Sequence, residues 1–220
     1  MANRLFNQFL FSFTKMLTSI HGQIVLQQAV KATKTAQGMT YLADAFGAAG
    51  NLISVELVDG ATAGAEVVTV TGSTIVVEIE DGVTTQAQLK AALDGDTAAA
   101  ALISVSVASG STPVAEAAAV FLAGGTDGVK SCDIKGATCA RTGVGEYTVT
   151  LTDKFAALMD CQLTLEAATA VDLVPQIKSH DVSSAKTIVF RLLAGATPTE
   201  VAAASTVHFK AFLRNSSVAK

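Results

Sequence analysis

A chain of 220 residues can hold one large domain or two small ones and can bury a proper core. Hydrophobic residues make up 50% of it, mostly Ala and Val, yet 15% are charged and no long apolar run lies outside the alanine-rich segments, which points to a soluble protein with no membrane partner. The net charge of −4 conceals three blocks: residues 1–43 carry four bases and no acid (+4), residues 44–128 carry eleven acids against Lys90 alone (−10), and residues 129–220 carry ten bases and eight acids (+2). Such asymmetry argues for separate surfaces facing different environments. No segment combines a dense basic patch with exposed aromatic platforms, so no nucleic-acid partner is expected.

At the N-terminus, four of the ten phenylalanines, Phe6, Phe9, Phe11 and Phe13, fall within the first 13 residues, which marks an anchor of apolar surface. Asn7, Gln8, Ser12, Thr14 and Lys15 interrupt the run and no cleavage site follows, so the segment is read as retained rather than as a signal peptide. Leu5, Phe9, Phe13, Met16 and Ile20 fall near helical spacing, whereas Phe9, Phe11 and Phe13 alternate like a strand, and periodicity does not decide between them. In either form the segment, with Arg4 and Lys15, is a candidate partner contact laid against another subunit; packing into its own core fits the pattern equally. Residues 23–26 read as a strand and the polar residues 31–39 as a loop.

The pattern changes after residues 47–50. Ile53, Val55 and Leu57 alternate, and residues 66–71 and 74–80 form two β-rich runs around Gly72-Ser73, a two-residue hairpin signal with glycine suited to the first turn position. Thr84 or Thr85 can cap a helix containing Ala87, Leu89, Ala91, Ala92 and Leu93. Strands are expected next at residues 102–107 and 115–122, and Gly124-Gly125-Thr126-Asp127-Gly128 is a flexible exit. The acidic surplus and glycine-rich edges identify residues 49–128 as an inserted acidic α+β module. Asp94, Asp96 and Asp127 lack a calcium-loop spacing and read as a solvated acidic face.

Residues 140–153, ARTGVGEYTVTLTD, are the stretch around which the chain is organised. Tyr147, Val149 and Leu151 project to one face and Glu146, Thr148 and Thr150 to the other, the mark of a half-buried strand. Gly143 and Gly145 supply the turn or bulge before it, without the Lys-Ser/Thr and helix of a phosphate loop. Asp153 can cap a short helical turn at residues 154–159. Further strands are expected at residues 137–141, 161–166, 171–177 (with Pro175 at an edge or bulge), 187–193 and 206–213. Short strands at this spacing predict a mainly β fold: a discontinuous β-sandwich or jelly-roll-like domain formed by residues 1–48 and 129–220, with an N-terminal arm, carrying the insert.

Chemistry-bearing residues are sparse. Cys132, Cys139 and Cys161 form no CxxC pair; reduced thiols fit a cytosolic chain, and the odd count leaves them candidates for an intersubunit disulfide. His21, His180 and His208 are dispersed, so no metal site is expected. No GxSxG elbow, HExxH helix or recognisable triad spacing is present, so neither an enzyme nor a cofactor is expected.

The opening ANRLFNQFLFSFTKM, the central RTGVGEYTVTLTDKFAALM and the closing VHFKAFLRNSSV resemble a family of tailed-bacteriophage virion proteins among head decoration and related structural components. In that family the first two motifs are joined by a shorter connector, where this chain carries residues 50–128. The end of the insert, VFLAGGTDG, resembles endings of small modules in phage tail and capsid proteins. The resemblance implies a capsid decoration (cement) protein on the virion surface, binding the major capsid protein and self-associating as a homotrimer. The alternatives are a tail, neck or fibre component and, more distantly, a carbohydrate-binding module, for which Tyr41 and Tyr147 would be the only tyrosines in a chain without Trp.

Overall fold

The computed structural model describes residues 17–167 and 171–215. The candidate contact residues Arg4, Phe6, Phe9, Phe11, Phe13 and Lys15 lie outside the described residues. The protein is mainly β, with a sandwich-like fold and a small helical insert. It divides into two units, one drawn from both ends of the chain and bounded by Gln28 and Gly128, the other Ala29–Asp127.

The first unit is two antiparallel sheets facing one core. One sheet has the order β12-β16-β1-β9, from β1 (Leu17–Leu26), β9 (Val129–Ile134), β12 (Phe155–Ala167) and β16 (Ser205–Asn215). The other has the order β10-β11-β14-β13, from β10 (Ala137–Gly143), β11 (Glu146–Leu151), β13 (Val174–Asp181) and β14 (Thr187–Ala194), with the short β15 (Thr197–Pro198) on β14. Period-two alternation builds both inner faces. Tyr147, Val149 and Leu151 of β11 are buried, and the Tyr147 ring stacks on Phe190 of β14 with centroids 5.3 Å apart. From the other sheet, Val207, Phe209, Ala211 and Leu213 of β16 and Ile20, Ile24 and Leu26 of β1 enter the same core. Each of the larger side chains contributes about 1.5–3 kcal/mol by leaving water.

Residues 154–159 depart from expectation: they are not a helical turn, because β12 starts at Phe155 and pairs with β16, with register shifts between Phe155 and Ala157 and between Leu158 and Asp160. The helix-favouring Ala156, Ala157, Leu158 and Met159 are overridden by that pairing, since propensity differences among ordinary residues stay below about 0.7 kcal/mol each. Pro175 does lie on an edge strand, β13, whose ladder shifts register between Ile177 and Ser179.

The second unit holds the sheet β2-β3-β7, from β2 (Lys31–Ala36), β3 (Met39–Phe46) and β7 (Ile103–Val107). It also holds the sheet β5-β6-β4-β8, from β4 (Ser54–Asp59), β5 (Val67–Thr71), β6 (Thr74–Ile79) and β8 (Ala117–Phe121), in which only β4 and β6 run parallel. Helix α1 (Gln86–Gly95) buries Leu89 and Leu93, one turn apart, and a four-residue α2 (Thr97–Ala100) comes after it. Thr85 caps α1 in a complete capping box with Gln88, and Gly72, at φ +62°, turns the β5–β6 hairpin. Residues 31–39 are therefore not a loop but most of the β2–β3 hairpin, so the insert begins at Ala29 rather than at residue 49. The hairpin belongs there because β3 pairs with β7, and Met39, Tyr41 and Ala43 are buried in the insert's own core.

The ends of the insert are held together. Val30 and Thr126 exchange backbone hydrogen bonds of 3.0 and 3.1 Å, and in the sandwich the Gln27 N–H donates to the Gly128 carbonyl at 3.1 Å.

Both tyrosines are buried, one in each core. Burial pushes the Tyr41 phenol up to about 12 from 10.0, and Tyr147 rises further, through burial first and the Glu200 carboxylate second. Because the folded state holds these protons more tightly, their contribution is complete below pH 10 and is lost as pH climbs from 10 through 12. Phenolate absorbance should therefore rise together with loss of the β circular-dichroism signal above pH 10; a smooth titration centred on 10 with the fold intact would contradict the burial.

Candidate interaction surface

The two sides of the sandwich are closed differently. On one side β9 and β10 lie at the sheet edges, and Cys132 of β9 is bonded to Cys139 of β10 with Cα atoms 5.7 Å apart, both packed against the core. This corrects the candidate intersubunit bond for those two cysteines, which are consumed within the chain. The signal was their placement on either side of Lys135-Gly136, where Gly136 turns at φ +83° and brings the two strands back past each other.

On the opposite side the edge strands are β12 and β13, and among the described residues β12 pairs only with β16. Cys161, Leu163 and Leu165 of β12 stand directly opposite Ala211, Phe209 and Val207 of β16, and so face inward. Whereas those partners are buried, the three β12 side chains are only half-buried, as are Leu173 and Ile177 on the facing side. Met159, at 56%, and Val174, at 60%, are openly exposed beside them. A 13-residue edge strand offering backbone donors and acceptors over half-covered apolar side chains is a template for another strand. Its charged residues are both acids, Asp160 and Glu166, which bracket the three inward positions. Lysine on an edge strand is a common deterrent to such pairing, and β12 has none.

Cys161 carries the free thiol of this surface. Burial first, and the Asp160 carboxylate second, push it up to about 11. At neutral pH it is therefore a protonated, weakly nucleophilic group with the character of a small apolar side chain.

The outer face of the same sheet is polar. His208 meets Glu166 at 2.7 Å, and the Lys210 ammonium lies 4.8 Å from the Phe212 ring centre. Pairing of β1 with β16 brings His21 and His208, distant in sequence, onto one shallow surface with Gln23 and Asp133. Among the described residues no group of three or more His, Cys, Asp or Glu could hold a metal ion, and His180 sits apart on β13. Three of the insert's aspartates are engaged separately: Asp94 pairs with Lys90, Asp96 accepts from the Ala99 N–H that opens α2, and Asp127 accepts from the Ala48 N–H.

Gly145 of the central stretch serves a polar clamp at the hairpin between β10 and β11. Glu200, from the segment after β15, accepts from Arg141 Nε at 2.6 Å, from the Gly145 N–H at 3.0 Å and from Tyr147 Oη at 3.5 Å. Gly145 has φ +60°, and a Cβ there would stand 2.5 Å from the Thr199 backbone nitrogen. The sequence showed the need for glycine but not its cause, the close passage of the 199–200 backbone.

Comparison of the chain with protein-family models, with characterised proteins and with solved structures finds no match.

Two outcomes are expected. Denatured, unreduced protein should show one titratable thiol and reduced protein three, and alkylation of native Cys161 should be slow at pH 8 and still accelerating toward pH 11; three thiols without reductant would remove the internal bond. Glu200→Ala, which strands the Arg141, Gly145 and Tyr147 donors, should destabilise the sandwich by about 1–3 kcal/mol in urea, with Glu200→Gln costing less.

Proposed function

We propose that this protein is a structural virion component, a decoration or cement protein that binds the major capsid protein on the outer surface of a phage head and self-associates as a homotrimer. The observation that carries the reading is the unsealed β12 side of a sandwich whose other side is stapled. An edge strand left in that condition is a surface suited to a protein neighbour. The resemblance of the opening, central and closing motifs to phage virion proteins supplies the class of neighbour.

Charge supports the same reading. The sandwich sequence carries twelve bases against eight acids and the insert three against eleven, so one unit is +4 and the other −8. A cationic unit contacting the shell and an acidic unit contacting solvent fit a protein that decorates a particle without precipitating it. A symmetric oligomer spanning neighbouring capsomers adds contact area where a shell under internal pressure would otherwise part. A tail, neck or fibre position would use the same edge. A carbohydrate-binding role is disfavoured because Tyr41 and Tyr147 are 2% and 0% exposed and offer no aromatic platform.

Imaging of intact particles tests the assignment directly. Density for this protein on the outer shell at symmetry-related positions, lost in particles assembled without it, is the expected result; density confined to the tail or neck would replace decoration by the alternative.

A further inference from the structure

Among the described residues β12 has one paired side and one free side, and along it the side chains alternate without interruption from Cys161 to Ala167. Cys161, Leu163, Leu165 and Ala167 face inward and are half-covered, while Gln162, Thr164 and Glu166 face solvent. This stretch mirrors itself about Thr164: leucine answers leucine, Gln162 answers Glu166, and the small Cys161 answers the small Ala167. An antiparallel pair sets residues directly opposite one another with their side chains on the same face, so an edge with this symmetry complements itself. Neither lysine nor proline stands on the stretch to deter such pairing.

We propose that β12 pairs antiparallel with β12 of a second copy of this chain, about a two-fold axis through Thr164, joining two four-stranded sheets into one. Leu163 of each copy then lies opposite Leu165 of the other, and Cys161 opposite Ala167, which covers the apolar positions that a single copy leaves half-open. Charge selects both the occupant and the register. Lys210 of β16 stands opposite Gln162 of β12. In the pair, Glu166 of one copy is therefore followed across the outer face by Gln162 and then Lys210 of the other. Glu166 and that lysine are two strand spacings of ~4.8 Å apart, about 10 Å between Cα atoms, within the combined reach of two long side chains. Both are exposed, and the two-fold makes the contact twice. Moving the axis to Leu163 would set Glu166 opposite Asp160, acid against acid. Moving it to Leu165 shortens the matched stretch to residues 163–167, and moving it to Gln162 runs the join into the register shift between Leu158 and Asp160. The contact is isologous, so it joins copies two by two and links neighbouring trimers rather than building one.

Thr164→Cys tests the axis on purified protein, in a Cys161→Ser background that removes the free thiol. Residue 164 meets its own copy at ~4.5–5.5 Å between Cα atoms, within disulfide reach, whereas residues 162 and 166 each stand four residues, about 14 Å, along the strand from theirs. Mild oxidation should give thiol-reversible dimers from Thr164→Cys and none from Gln162→Cys or Glu166→Cys. Monomer from Thr164→Cys, or equal dimer yields from all three positions, overturns the proposal. In parallel, with circular dichroism confirming the fold, Glu166→Lys and Lys210→Glu should each weaken self-association by about threefold to tenfold in sedimentation equilibrium. The two together should restore it; a double variant no better than the singles overturns the proposal. Neither readout involves particles, so both can fail while the capsid assignment stands, and particle imaging can fail while both succeed.

Discussion

The pairing of β1 with both β16 and β9 is the interaction on which the rest of the sandwich depends. One strand from the start of the chain joins a strand from its end to the strand that resumes after a long insert. Drawing together the ends of a flexible loop of about a hundred residues would cost about 4 kcal/mol in closure entropy. The insert removes most of that cost by folding on its own core and tying its ends through the Val30–Thr126 bridge. What reaches the sandwich is a closed connection, and β1 and β9 meet as if joined by a short turn.

Once β1 is in place, the remaining asymmetry comes from where the chain has covalent and polar means of closure. The Cys132–Cys139 bond seals the β9–β10 side, and the Glu200 clamp fixes the loop over the β10–β11 hairpin. Nothing equivalent acts on β12 and β13 among the described residues, where inward side chains stay half-covered. The unsealed edge is a consequence of strand order as much as of composition, because any open four-stranded sheet ends in two edges and this one closes a single side.

Much of this was legible from residue patterns. Tyr147, Val149 and Leu151 announced their strand, a cap at Thr84 or Thr85 ahead of Leu89 and Leu93 announced the helix, and Gly72-Ser73 announced the hairpin, because each is a local rule that tertiary packing reinforces. The β2–β3 hairpin was missed because β2 buries only Ala32 among Lys31, Thr33, Lys34 and Thr35, leaving almost no hydrophobic alternation to detect. In the folded protein its turn is made by Gln37 and Gly38, both at positive φ, which two-residue hairpins favour. The start of β12 was missed for the opposite reason, since FAALM is good helix sequence and only its partner β16 makes it a strand. The disulfide was hidden because β9 had not been recognised as a strand, so the cysteines had no shared turn.

The bridge at the ends of the insert also bears on how such a chain is assembled over evolutionary time. Two backbone strands leaving a host fold side by side form a socket that is indifferent to what it holds, provided that the guest's own ends adjoin. The sandwich can keep its registers, staple and open edge while the guest is lost, enlarged or exchanged for one of different charge. In a protein built this way, the host and the guest can answer to separate selective pressures, and the same socket is a natural place to graft a foreign domain for display.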